Sequence, residues 1–304
     1  MQVHLIFYEE ERLTMFDLKT STNTNDMVNI SKNKFLDYFK WACVLIIAVC
    51  TFLMRLNINS ELTVLTAIIF ILLFIFTFFH GSQRYGIKNM LIWFVITWIV
   101  SNGFEGLSIK MGFPFGNYHY TAAGPRFLEV PLLIMVAYFG LAYMSWCVAQ
   151  VVTTHFSKKF VGLYKFVVPF ITALVMTMWD LVTDPQASTI GGTWIWENGG
   201  AYYGVPISNF FGWAFVIYIF MQIFTLFMSN KNTDISPDNI TSKKNYWLQP
   251  VLLYLTLGLG VVLEGFTHAE NVEIYSSMAM VSLFTMVFTA MISILNIVHS
   301  TDLD

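Results

Sequence analysis

A series of long apolar segments limits the folds open to this 304-residue chain more than any other feature. A helix needs about 20 apolar residues to cross the hydrocarbon core of a bilayer, where its backbone groups must bond to each other. Candidate segments lie at 37–55, 62–79, 90–110, 131–151, 163–183, 206–228, 248–265 and 276–298. Only 12% of the residues are charged, whereas a soluble domain has about 25%. The sequence therefore predicts an all-α fold, a polytopic transmembrane bundle of seven or eight helices.

The first part of the chain has a different composition. Residues 1–34 are polar and rich in Thr, Asn and Glu, which predicts a disordered tail. No short apolar core with a small-residue cleavage site occurs there, so a signal peptide is not expected. The turns between the later apolar segments are mostly short. Residues 35–304 are therefore predicted to form a single transmembrane domain.

The remaining composition excludes other classes of protein. Cys43, Cys50 and Cys147 all lie inside apolar segments and have no metal-binding spacing, so we interpret them as small buried hydrophobic residues. The net charge is −3 and no basic patch is visible, which argues against a nucleic-acid partner.

The distribution of basic residues predicts the orientation in the membrane. Cytoplasmic loops carry an excess of Lys and Arg. One side of the predicted bundle collects Lys32, Lys34, Lys40, Arg84, Lys88, Lys158, Lys159, Lys165, Lys231, Lys243 and Lys244, and the other collects only Arg55, Lys110 and Arg126. We therefore expect a multi-pass protein with both termini in the cytoplasm. The membrane itself is expected to be a bacterial inner membrane.

Carboxyl groups gather on the lysine-poor side. Glu105 lies at the end of the third apolar segment, Asp180 and Asp184 at the end of the fifth, and Glu264 at the end of the seventh. Ionisable residues in membrane helices are costly and usually mark a site or a pathway. Their position on one side predicts a shared pocket.

Two parts of the chain form a weak internal repeat. The stretch "FEGLSIKMGFPFGNYHYTAAGPRFLEVPL" aligns with "WDLVTDPQASTIGGTWIWENGGAYYGVPI", with Glu105 opposite Asp180. Each unit runs from a helix through an acid and an aromatic loop to Val-Pro and a second helix. Two helical hairpins of equal direction would bring equivalent acids toward each other.

Asp180 and Asp184 have the spacing of neighbours on one helical face, and Pro185 predicts that the helix ends at Asp184. Two close carboxyl groups beside apolar rings do not both ionise easily, so one is expected to hold a proton, as a general acid must. Glu105 and Glu264 each precede a glycine. The alternative is structural: an aspartate that caps a turn, or a glutamate that extends to the interface.

The aromatic motifs "YHY" and "WIW" alternate, so Tyr118 and Tyr120, and likewise Trp194 and Trp196, share a face if the loops are extended. Such rings could form the wall of an apolar pocket and stabilise a carbocation, although single rings also populate interfacial belts. Further candidates for substrate binding are Tyr203, Asn209, Trp213 and His268. His119 and His268 are candidates to relay protons, and no metal-binding pattern occurs.

The combination of "WDLVTDP" with "GTWIWENGGAYYGVPISNFFGW", preceded by "PFGNYHYT", resembles the integral-membrane carotenoid biosynthesis family over roughly residues 40–298. That family includes bacterioruberin-type and γ-carotene 1′,2′-hydratases. The resemblance implies cofactor-free hydration of a terminal double bond in an acyclic carotenoid. It also implies a carotenoid substrate, a lipid surrounding and contacts with other enzymes of the pathway.

For such a reaction Asp180 or Asp184 is the predicted acid, and Glu105 or Glu264 the predicted base. An intramembrane prenyltransferase is a rival interpretation, since "DLVTD" is a DxxxD motif. However, residues 185–205 contain no Lys or Arg for a diphosphate. Buried acids and a repeat are also compatible with a transporter, and a non-enzymatic membrane scaffold is a third rival interpretation.

Overall fold

A computed structural model describes residues 34–56, 62–121, 123–156, 159–230 and 240–304. The predicted disordered tail, apart from Lys34, lies outside the described residues. So do Lys32, Lys158 and Lys231 of the charge pattern. Contacts divide the chain into two units, Met1–Ala42 and Cys43–Asp304. Among the described residues of the first unit, Lys40 and Asp37 form an ion pair at 3.3 Å.

The eight predicted apolar segments are all helices, and each is long and apolar enough to span a membrane. They are α1 (Lys34–Arg55), α2 (Leu62–Tyr85), α3 (Ile87–Met111), α4 (Leu132–Val152), α5 (Tyr164–Asp184), α6 (Ile207–Ser229), α7 (Lys244–Thr267) and α8 (Val272–His299). A short 3₁₀ turn at Ile240–Ser242 precedes α7. The predicted all-α membrane fold is therefore confirmed, with ends that differ by a few residues.

Helix α4 is the central element of the unit Cys43–Asp304. In the most apolar 18-residue stretch of α4, 78% of the residues are buried. The corresponding share of buried residues is 33–56% in α2, α3 and α5 to α8. The outward-facing sides of the outer helices carry exposed apolar residues such as Phe211 and Phe284. Such exposure is typical of helices that cross a membrane, because large apolar patches are rare on soluble proteins.

The end of α5 differs in one respect from the prediction. The α-helix does end at Asp184, but the chain continues as a π turn at Pro185–Ile190. The amide of Gly191 donates to the carbonyl of Gln186 at 2.8 Å, which closes a bond across five residues. The wider turn carries the chain from Asp184 toward the next aromatic motif.

The two aromatic motifs pair with each other. Strand β1 (Tyr118–Tyr120) runs antiparallel to β4 (Trp194–Trp196), with Tyr118 opposite Trp196 and Tyr120 opposite Trp194. We call this two-stranded element the ribbon. Side chains alternate along a strand. Tyr118, Tyr120 and Trp196 are therefore buried, while His119 and Ile195, the middle residues of the two strands, are exposed. The prediction that alternating rings share a face is confirmed.

The internal repeat is also present in the backbone. Strands β2 (Arg126–Phe127) and β3 (Val130–Pro131) form a tight hairpin, and a Tyr202–Val205 bridge forms its counterpart in the second unit of the repeat.

Both turns contain two successive residues of positive φ. These are Leu128 and Glu129 in the first turn (51° and 67°), and Tyr203 and Gly204 in the second (51° and 86°). Such pairs are typical of two-residue hairpin turns. Each turn then leads through Val-Pro into the following helix.

We predict that Gly212→Ala destabilises the protein and Gly103→Ala does not. A Cβ atom at Gly212 would lie 2.7 Å from Cδ1 of Phe115 and 3.1 Å from the Pro114 backbone, whereas at Gly103 it meets nothing within 4 Å. Overpacking costs about 1–3 kcal/mol, while Gly→Ala in an open helix position gains up to about 1 kcal/mol. Thermal unfolding in detergent measures the difference, and equal midpoints would contradict the described packing of α6.

Candidate active site

Glu105 is a buried carboxyl group in the second half of α3, ahead of the helix end at Met111, with only 3% of its surface exposed. Three tyrosine hydroxyl groups donate hydrogen bonds to it. Tyr118 and Tyr120 of the ribbon bond to Oε2, the latter at 3.1 Å, and Tyr138 of α4 bonds to Oε1 at 2.7 Å. Both oxygens are therefore held by neutral donors.

Asp180 and Asp184 lie one turn apart on α5 and are equally buried, with 3% and 1% exposed. As their spacing predicts, they share a face: Nδ2 of Asn209 donates to Oδ2 of Asp180 at 2.8 Å and to Oδ2 of Asp184 at 2.7 Å. Oδ1 of Asp184 accepts from the indole nitrogens of Trp194 at 3.0 Å and Trp196 at 3.3 Å. One amide group thus connects two carboxyl groups.

Each unit of the repeat holds an acid with its own aromatic pair. In the first unit, phenol hydroxyls of the ribbon bond to Glu105. In the second unit, indole N–H groups of the ribbon bond to Asp184. The sequence alignment places Asp180 opposite Glu105, but the hydrogen bonds match Asp184 with Glu105. The two units also differ in the backbone that follows the acid, since a π turn follows Asp184 while α3 continues as an α-helix from Glu105 to Met111.

A second pair related by the repeat lies beneath the ribbon. Tyr138 and Trp213 both follow the Val of their Val-Pro motif, Val130 or Val205, by eight residues. Their rings stack with centroids 5.0 Å apart and planes 15° apart. Sequence reasoning missed Tyr138 because it lies inside a continuous apolar segment. The register of the repeat, which aligns it with Trp213, is the signal that could have found it.

No cation compensates the three carboxyl groups among the described residues. The ion pairs found there join Lys40 to Asp37, Arg55 to Glu264 and His119 to Glu197. The same residues contain no group of three or more His, Cys, Asp or Glu side chains that could hold a metal ion. His119 lies on the exposed face of the ribbon, 2.5 Å from Glu197.

Three other candidate residues make contacts of their own. Oε2 of Glu264 pairs with Nη1 of Arg55 at 2.6 Å. The ring of His268 stacks on that of Tyr275, with centroids 4.2 Å apart. The hydroxyl of Tyr203 donates to Oγ of Ser277 at 2.7 Å. The structure thus brings together Glu105, Asp180, Asp184, Tyr118, Tyr120, Trp194, Trp196, Asn209 and Trp213, and it adds Tyr138.

The ribbon tyrosines are held in the neutral form. Burial, and next the negative charge of Glu105, raise the pKa of Tyr118 well above its ordinary value. The same two causes, with a smaller contribution from Asp184, raise the pKa of Tyr120. Both hydroxyls therefore remain donors over the whole physiological pH range.

We predict that Tyr138→Phe destabilises the protein and Tyr218→Phe does not. The first change keeps the ring but removes the donor to Oε1 of Glu105. A buried acceptor left without its donor costs about 1–3 kcal/mol. The ring of Tyr218 packs against Phe170, and its hydroxyl has no hydrogen bond within the described part of the chain. Chemical unfolding of both variants in detergent tests this, and equal losses would contradict it.

We predict that Tyr120→Phe affects stability in a pH-dependent manner. A free tyrosine ionises near pH 10, whereas the pKa of Tyr120 in the folded protein is higher. The stability that this group contributes is therefore complete below about pH 10 and is lost as the pH rises further. The difference in unfolding free energy between the wild type and the variant should be constant to about pH 9 and then shrink. A difference that grows with pH would contradict this.

Comparison with known proteins identifies the family of the chain. No curated protein and no solved structure is significantly similar to the chain. A family model described as "Carotenoid biosynthesis protein" matches residues 61–287, a range that contains α2 to α7, both units of the repeat and the carboxyl groups of Glu105, Asp180 and Asp184. The chain therefore belongs to the carotenoid biosynthesis protein family.

Proposed function

We propose that the protein is a carotenoid hydratase that adds water across the terminal 1,2 double bond of an acyclic carotenoid without a cofactor. One observation carries the proposal. Three buried carboxyl groups, surrounded by aromatic rings, are bound only by neutral donors among the described residues. Such a site suits proton transfer to and from an uncharged polyene.

The number of hydrogen-bond donors suggests which carboxyl group is the acid. Asp180 and Asp184 share one amide, and two carboxylates in apolar surroundings without a cation are costly. The pair is therefore expected to keep a proton. Asp184 accepts three hydrogen bonds from side chains, while Asp180 accepts one. The anion is better stabilised on Asp184, so we assign the proton, and the role of general acid, to Asp180.

Glu105 is the corresponding base. Three hydroxyl donors stabilise its carboxylate form. A base must be ionised before the reaction, and it must accept a proton when water attacks. Glu105 is also free of an ion-pair partner among the described residues, whereas Oε2 of Glu264 is bound to Arg55.

The proposed step is an addition of one water molecule. Asp180 gives its proton to C2 of the double bond, whose π electrons form the new C–H bond, and a tertiary cation remains at C1. The oxygen of water then bonds to C1, and Glu105 takes the proton that water releases. The product is a tertiary alcohol. A proton passes from Glu105 to Asp180, through solvent or the protein, before the next turnover.

Aromatic faces are available to stabilise the cation. The stacked pair of Tyr138 and Trp213 lies beside the carboxyl groups, and Trp179 contacts Trp213 with centroids 6.0 Å apart. A cation over an aromatic face gains up to about 2 kcal/mol in a desolvated site. The prenyltransferase alternative is less well supported, because the described residues offer no Lys or Arg contact at these acids to bind a diphosphate.

We predict that the wild-type protein, produced in a lycopene-forming host, yields a carotenoid that is heavier by one water. Oxygen from isotopically labelled water should appear in the product. Asp180→Asn and Glu105→Gln should lower its formation by about 100-fold or more, since general acid–base catalysis contributes about 10²–10⁴. Glu270→Gln, at an exposed carboxyl group, should leave it unchanged. Mass analysis of the pigments at matched protein levels gives these rates.

Failure of the wild type to convert lycopene and related acyclic carotenoids would contradict the hydratase proposal. Conversion by Asp180→Asn and Glu105→Gln at the wild-type rate would contradict the assigned roles. Release of pyrophosphate from a prenyl diphosphate would favour the prenyltransferase instead.

A further inference from the structure

Three side chains from different helices meet at one point beside the proposed active site. Nη1 of Arg55, at the end of α1, donates to Oε2 of Glu264 on α7 at 2.6 Å and to Oε1 of Gln186 at 2.7 Å. The side chains of Arg55 and Glu264 are only 13% and 8% exposed. We call these three residues the bridge.

The bridge is attached to the π turn that follows Asp184. Gln186 is the second residue of that turn, and its carbonyl accepts the closing bond from Gly191. Within the same turn, the hydroxyl of Ser188 donates to the Asp184 carbonyl at 2.8 Å. The side-chain bond from Arg55 therefore ties the turn directly to α1 and, through Glu264, to α7.

The π turn also sets the position of the ribbon. The amide of Thr193 donates to the carbonyl of Ala187 at 2.9 Å, and strand β4 begins at the next residue. The indole groups of Trp194 and Trp196 then reach back to Asp184. The turn thus lies between the carboxyl group and its donors, and a shift of the turn would separate them.

We propose that Arg55, held by Glu264, is a positioning residue that fixes the π turn and thereby keeps Asp184 in contact with Trp194 and Trp196. A single guanidinium nitrogen that bonds to two partners on different helices restricts both. The proposal gives Glu264 a role different from that of a base. Its Oε2 atom is bound to the guanidinium group of Arg55, so the carboxyl group serves to hold Arg55 in place.

The effect on activity rests on the proposed hydratase function, whereas the effect on the indole groups does not. The indole N–H signals of a ¹⁵N-labelled sample in detergent report the hydrogen bonds to Asp184 directly. Trp194→Phe and Trp196→Phe identify the two signals. Trp247 serves as an internal reference, because it donates to the Thr241 carbonyl at 2.7 Å and has no bond to the bridge.

Gln186→Leu removes the link to the turn and leaves the Arg55–Glu264 pair in place. We expect hydrogen exchange at the indoles of Trp194 and Trp196 to become about tenfold faster or more, since their bonds open more often. Exchange at Trp247 should not change. Gln222→Leu is the matched control, because Gln222 donates to the Lys165 carbonyl at 3.0 Å, at the opposite end of α5.

Arg55→Gln should behave like Gln186→Leu, and Arg55→Lys should restore part of the protection because the cation remains. The rate of hydration should fall by roughly tenfold or more in Gln186→Leu and Arg55→Gln, and by less in Arg55→Lys, since small displacements of catalytic groups are costly. Unchanged indole exchange in both Gln186→Leu and Arg55→Gln would overturn the proposal.

Glu264→Gln separates positioning from catalysis. Loss of hydration with indole exchange equal to that of the wild type would show that Glu264 acts on the substrate, and the proposal would be wrong. Faster indole exchange, with a proportionate fall in hydration, would support it. If the wild type catalysed no hydration, the indole measurements would still decide the positioning role, so the two proposals can fail independently.

Discussion

Three carboxyl groups are buried at this end of the protein with no cation beside them among the described residues, and this constraint governs the structure around them. An isolated charge inside an apolar helix bundle is far too costly, so each carboxyl group must find hydrogen bonds from neutral groups. The ribbon meets this need. Its phenol groups donate hydrogen bonds to Glu105, and its indole groups donate hydrogen bonds to Asp184. The aromatic loops are therefore part of the polar interior, although their composition resembles that of an interfacial belt.

The repeat supplies one scaffold for two different chemical environments. Both units place an acid near a helix end, a pair of rings on a strand and a further ring on the next helix. They differ in the groups attached to that scaffold. One unit surrounds a single glutamate with three hydroxyls. The other provides indole donors and an amide shared between two aspartates. Similar backbones thus give their carboxyl groups different sets of hydrogen-bond donors.

Sequence reasoning succeeded where short-range patterns decide the structure. Hydropathy located the eight membrane-length helices of the described residues. Strict alternation located the inward face of the ribbon. Both signals lie within a few residues. It failed where distant residues decide. Tyr138 resembles any apolar-helix tyrosine until Glu105 is placed beside it. Arg55 and Glu264 are 209 residues apart, and nothing local to either residue indicates the partner. Trp194 and Trp196, which donate to Asp184, likewise follow a π turn that Pro185 alone did not predict.

The pairing of β1 with β4 has a consequence for the origin of such a chain. Each strand belongs to a different unit of the repeat, and the strands run antiparallel with matching rings opposite each other. A protein with one unit could therefore form the ribbon only with a second copy of itself, about a two-fold axis. Gene duplication and fusion would turn such a symmetric dimer into one chain. The two halves could then acquire different acids, because a substitution in a fused chain changes only one of them.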